Sequence, residues 1–77
     1  MGWNHRVVKR TYPEPSGETF YQIHEAYYGL NGSGKPSITV DPMYAIGESV
    51  DELRETLQRM LRALDKPVLD YETREEI

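Results

Sequence analysis

The chain reads as an α+β fold, a three-stranded antiparallel sheet with one C-terminal amphipathic helix packed on one face (β-β-β-α). Three observations predict it. Two ten-residue stretches alternate at the two-residue period of a strand and flank a proline-bounded turn. A single run, opened by a capping signature, repeats its apolar residues at the helical period. Only 38% of the 77 residues are apolar, and Leu, Ile, Val and Phe make up about a fifth. That supports one thin core rather than two. Six tyrosines and one tryptophan supply the rest of the burial.

The first strand runs from Trp3 to Tyr12. Trp3, His5 and Val7 share one face, and Asn4, Arg6, Val8 and Arg10 share the other. Tyr12-Pro13-Glu14-Pro15-Ser16-Gly17 stops it, because proline cannot donate to a ladder and glycine permits the turn. Thr19 to Tyr28 is the strongest strand. Tyr21, Ile23, Glu25 and Tyr27 lie on one face, and Gln22, His24, Ala26 and Tyr28 on the other. A glycine-rich turn, Gly29 to Pro36, leads to a shorter strand, Ser37 to Asp41, which Pro42 ends. Met43 to Gly47 is apolar and is expected as a crossover laid on the core.

Ser49-Val50-Asp51-Glu52 is a capping box, with Ser at the cap and Glu three residues on. Val50, Leu53, Leu57, Met60, Leu61 and Leu64 then form one helical stripe, expected to be the helix's core-facing side. Acids Asp51, Glu52 and Glu55 precede bases Arg59, Arg62 and Lys66, an order that suits the helix dipole. Pro67 ends the helix after about 16 residues. Val68 to Tyr71 either returns along the sheet or docks beside the helix. Residues 1–71 are read as one α+β domain, and 72–77 as a frayed acidic tail.

In this arrangement Tyr21, Ile23, Tyr27, Val7 and Trp3 face the helix leucines. The opposite face, bearing Arg6, Val8, Arg10, Gln22, His24 and Tyr28, is expected to be uncovered. It is therefore the candidate interaction surface, for a protein partner or a weak homodimer formed through that face or through an edge strand.

Composition excludes several classes. The absence of cysteine removes disulfides, thiolate metal sites and thiol catalysis, and suits a cytoplasmic setting. The longest apolar run, Met43 to Ile46, is far too short to span a membrane, and residues 1–6 lack a secretory apolar region. The net charge of −4 disfavours nucleic acid, since phosphate contacts drive that affinity. The acid excess lies entirely in residues 48–77; residues 1–47 are neutral overall.

Few residues suggest chemistry. Gly29 to Lys35 fits the letters of a phosphate-binding loop, but Pro36 stands where a magnesium-holding Ser or Thr should open a helix. The stretch is read as a plain turn. His5, His24 and Glu25 are the only residues resembling metal ligands or an acid–base pair. His24 and Glu25 point to opposite faces, which argues against a shared site and leaves a structural His5–Glu25 pairing under Trp3 and Tyr27. Glu25 on an apolar face is read as paired or marginal. A small enzyme using Glu25 with a histidine is the weaker alternative, because no nucleophile or oxyanion donors accompany it. No catalytic residue, metal or cofactor is expected.

Two resemblances accompany these readings. Trp3-Asn4-His5-Arg6-Val7, Ile23 to Tyr28, Gly47 to Leu53 and Ala63 to Leu69 together resemble a family of short uncharacterised bacterial proteins. That resemblance implies no activity. Residues 19–69, with strands followed by Gly47-x-Ser49-x-x-Glu52-Leu53 opening a helix, are similar to the HicB-type antitoxin core. This likeness implies an α+β domain that sequesters an RNA-cleaving toxin. Residues 70–77 are expected to hold no DNA-binding motif, so what this likeness implies here concerns partner binding only.

Overall fold

A computed structural model describes residues 2–30, 32 and 34–77. Its elements in chain order are β1 (Gly2–Thr11), β2 (Thr19–Tyr28), β3 (Ser37–Ile38), α1 (Val50–Arg62), a 3-10 turn (Ala63–Asp65) and β4 (Leu69–Asp70). The chain is thus α+β, with a sheet and one α-helix. The sheet has four strands rather than three, in the order β3-β2-β1-β4, and it is mixed. β1 pairs antiparallel with β2, while β4 runs parallel to β1 with Val8 opposite Leu69.

The β1–β2 hairpin follows the expected alternation. Its register sets His5 opposite Glu25, Val7 opposite Ile23 and Arg6 opposite His24. Tyr12 N donates to Glu18 O at 2.8 Å across the turn, and Gly17 takes a positive φ of 60° there, the left-handed conformation that glycine adopts without strain. β3 is shorter than expected. Past Ile38 the chain stays beside β2 without a regular ladder: Thr39 N donates to Glu25 O at 3.1 Å, and Met43 N to Ile23 O at 2.8 Å. Val40 points into solvent, 67% exposed.

The helix begins as the sequence dictates. Ser49 Oγ accepts from Glu52 N at 3.1 Å, and Glu52 reaches back to the Glu48 amide at 2.9 Å. Gly47 is needed just before it, because a Cβ there would lie 2.5 Å from Leu53 N. The last turn tightens into the 3-10 conformation before Pro67.

The core lies on the face expected to be open. Val8, Ala26 and Leu69 form it, with Tyr28, Ile38 and Tyr71 packed around. What covers this face is the C-terminal segment. Tyr71 N donates to Lys9 O at 3.0 Å, Arg74 N to Asp70 O at 2.7 Å and Ile77 N to Val68 O at 2.8 Å. Residues 72–77, expected to fray, turn back on β4, and Glu76 bridges Leu69. The physical reason is that Val68-Leu69, freed by Pro67, can both pair with the β1 edge and bury Leu69 on Val8.

The helix takes a lesser share of the other face. α1 and the 3-10 turn pack on β1, where His5, Val7, Met60 and Ala63 are buried. The rest of the expected stripe is not core: Val50 is 71% exposed, Leu57 49%, Leu61 65% and Leu64 65%. Trp3 and Tyr21 are also exposed, and so are Tyr44 and Ile46, the residues expected as a crossover on the core.

The two sides should respond differently to mutation. In dilute urea titrations, Leu69→Ala is expected to cost about 2–5 kcal/mol, the usual loss for a core leucine. Tyr21→Ser, on the helix side of the sheet and 65% exposed, should stay within about 0.5 kcal/mol of the parent, as at an exposed site. The reverse order would place the core on the helix side.

Candidate interaction surface

The six residues expected to form an open surface are buried or half-buried. Val8 and His24 are fully buried and Arg6 nearly so. Arg6 donates to the Tyr28 hydroxyl at 3.0 Å and to the Pro67 carbonyl, and it reaches Glu76 at 3.4 Å. The Tyr28 hydroxyl in turn donates a hydrogen bond to Asn4 Oδ1 at 2.9 Å. Arg10 stacks between Tyr12 and Tyr71, its guanidinium 4.6 and 4.0 Å from the two ring centres. Gln22 donates to the Tyr12 hydroxyl at 3.0 Å. His24 Nδ1 lies 2.9 Å from the Thr39 carbonyl and Nε2 lies 3.1 Å from Gln22 Oε1. This is the interior hydrogen-bonding of a covered face, and the expectation of an uncovered one is corrected accordingly.

His5 and Glu25 stand opposite each other on the other face, as the period requires. Trp3 meets the His5 ring edge-on, with centroids 5.3 Å apart, and lies 6.3 Å from Tyr27. Glu25 accepts a hydrogen bond from the Tyr27 hydroxyl rather than from His5. That bond holds the Tyr27 phenol above its usual pKa. Burial lowers the His5 pKa, opposed by the Glu25 charge and aided by Arg59. Burial likewise lowers that of His24; its bond to Thr39 and the charge of Asp41 oppose this, and Arg10 adds to it. Among the described residues no group of three His, Asp or Glu side chains is placed to hold a metal ion. The glycine stretch with phosphate-loop letters lies partly outside the described residues.

The exposed surface with unusual chemistry is instead the outer side of α1. At about 100° per residue, Val50, Leu57 and Leu61 fall within an arc of about 40° on α1, and Leu64 follows, exposed, in the 3-10 turn. Met60 and Ala63 turn away from that arc and toward β1. Loop 43–47 runs alongside, tied by Thr56 Oγ1 to the Ile46 carbonyl at 3.2 Å. A cleft of about 280 Å³ opens between the end of α1 and the start of β1, lined by Trp3, Asn4, His5, Arg59, Arg62 and Lys66. The sequence carried a signal for this surface. The stripe has more large apolar positions than one narrow sheet can cover.

The chain matches no family model, no curated protein and no solved structure. Among the described residues no helix is long and apolar enough to cross a membrane.

The lowered histidines give a pH dependence with a definite sign. Below the unfolded pKa of about 6.5 the unfolded chain binds protons that the native chain refuses. Stability is therefore complete above about pH 6.5 and lost as pH falls toward the native pKa values. Thermal melts across this range should show Tm falling with acidification from that point; a Tm that rises there would contradict the buried, neutral histidines.

Proposed function

We propose that the chain is a small non-enzymatic protein-binding module whose binding surface is the outer side of α1. The observation that carries this reading is the exposure of Val50, Leu57 and Leu61 along α1, the one α-helix among the described residues, with Leu64 exposed in the 3-10 turn that follows it. Each buried aliphatic side chain is worth about 1.5–3 kcal/mol when removed from water. A helix that leaves Val50, Leu57, Leu61 and Leu64 in solvent forgoes that gain until another surface covers it. The positions suit helix-face recognition, in which apolar anchors recur at helical spacing. The cleft beside them adds Arg59, Arg62 and Lys66, and it favours acidic groups at the rim of whatever docks.

The same geometry supports binding over catalysis. Glu25 is engaged by Tyr27, and His24 is sealed beneath the opposite face, so the acid and that base do not meet. His5 faces Glu25 but has no nucleophile or oxyanion donor pair beside it.

The test is photocrosslinking in the native cell, with a benzophenone amino acid in place of Leu61. A covalent adduct at Leu61, absent with the probe at Arg10, is expected. The mass of the adduct identifies the partner. No adduct at Leu61, nor at Val50 or Leu64, would contradict the reading.

A further inference from the structure

We infer that the outer edge of β1 from Trp3 to His5, with the bases beside it, is a docking site for an extended acidic segment of a partner protein, which adds to the sheet as a strand. This surface is distinct from the exposed arc of α1 and does not rest on it.

The first observation is an open row of backbone groups. The β1–β2 register runs from Gly2 opposite Tyr28 to Thr11 opposite Thr19 without a bulge. Along such a strand successive residues direct their N–H and C=O groups to alternate sides. Tyr12 N donates to Glu18 O across the hairpin, so even-numbered positions bond toward β2. Tyr71 N donates to Lys9 O on the other side, so odd-numbered positions face the β4 edge. β4 lies opposite only Val8 and Lys9, and Pro67 ahead of it has no N–H to offer. Trp3 and His5 therefore direct their N–H and C=O groups outward along an edge that no strand covers among the described residues. They sit about 7 Å apart, the repeat at which an added strand bonds.

The second is that this edge is not blunted. Proteins guard sheet edges with proline, bulges or charges on the strand itself. Gly2, Trp3 and Asn4 carry none of these, and burial holds His5 toward its neutral form.

The third is charge, which names the occupant. The cleft of about 280 Å³ along this edge is lined by Trp3, Asn4 and His5 on one side and by Arg59, Arg62 and Lys66 on the other, with no acid. Among the described residues none of these three bases makes an ion pair. The chain as a whole carries −4, so the cleft reverses the sign of its surroundings. Strand addition supplies backbone bonds whatever the sequence, and the unpaired bases then select acidic side chains. The half-exposed indole of Trp3 gives an apolar wall for the side chains between them.

A displayed library of random peptides, selected on the full chain, tests this. The expected peptides are acidic, alternate with β-branched residues and lack internal proline. With a synthetic copy of one, hydrogen exchange should show the Trp3 and His5 amides, open in the free chain, becoming protected. The Asn4 amide, directed toward β2, should change little. Arg59→Glu combined with Arg62→Glu should weaken binding about tenfold, and added salt should weaken it further. Trp3→Pro deletes an outward N–H without touching the β2 ladder and should abolish binding, whereas Trp3→Val keeps the N–H and should retain it. Should Trp3→Pro fail to fold by circular dichroism, amide protection in the parent chain decides. An empty selection, basic or helical peptides, or binding that leaves the Trp3 and His5 amides exchanging as in the free chain would overturn the inference. A peptide seated on the α1 arc gives that last result, so the two proposals fail separately.

Discussion

The structure depends on the closure of one sheet face by residues 67–77, and Arg6 holds that closure. A guanidinium sealed beneath a covering segment is tolerated only when its charge and protons are met. Arg6 meets them by spanning the two parts: the Tyr28 hydroxyl on β2, the Pro67 carbonyl where the segment begins, and Glu76 where it ends. Among the described residues its Nε has no hydrogen-bond partner. The Arg10 guanidinium, stacked between Tyr12 and Tyr71, repeats the device at the other end of β1. Between these two cations Leu69 reaches Val8 and the small core is sealed.

Everything on the other face follows from that choice. One narrow sheet offers one strongly enclosed surface. Once the C-terminal segment occupies it, the helix is left with a shallow seat on β1, holding little more than Met60 and Ala63. The result is a flat molecule, 38 × 33 × 20 Å, with Val50, Leu57, Leu61 and Leu64 outside. The chemistry of the surface, apolar along the helix and basic at the cleft, is suited to holding a partner.

Much of the local structure was legible. The course of β1 and β2, the proline-bounded turn and the Ser49 cap each rest on residues adjacent to the event, so short-range rules decide them; the helix, expected to reach Pro67, ends at Arg62, and a 3-10 turn takes up the remainder. What could not be read was which face of the hairpin becomes interior. Apolar count favoured the face with Trp3, Tyr21, Ile23 and Tyr27. The face that is buried carries Arg6 and His24, whose partners, Thr39, Pro67 and Glu76, lie 15 to 70 residues away in sequence. Polar residues read as exposed until the groups that satisfy them are known. The helix stripe and the sheet's second face exchange roles together: residues 67–77 cover the sheet, and the stripe stays exposed. Val68-Leu69 after Pro67 was the one local hint of a fourth strand.

The central claim is that residues 67–77 belong to the folded core. Amide hydrogen exchange of Tyr71 and Ile77 tests it most directly, because both donate hydrogen bonds that exist only if the segment is closed over β1 and β4. The account predicts that both amides exchange as slowly as those in the middle of β1, opening only with global unfolding. Exchange at free-peptide rates while β1 and β2 stay protected would show a frayed tail and an open face, and would contradict it.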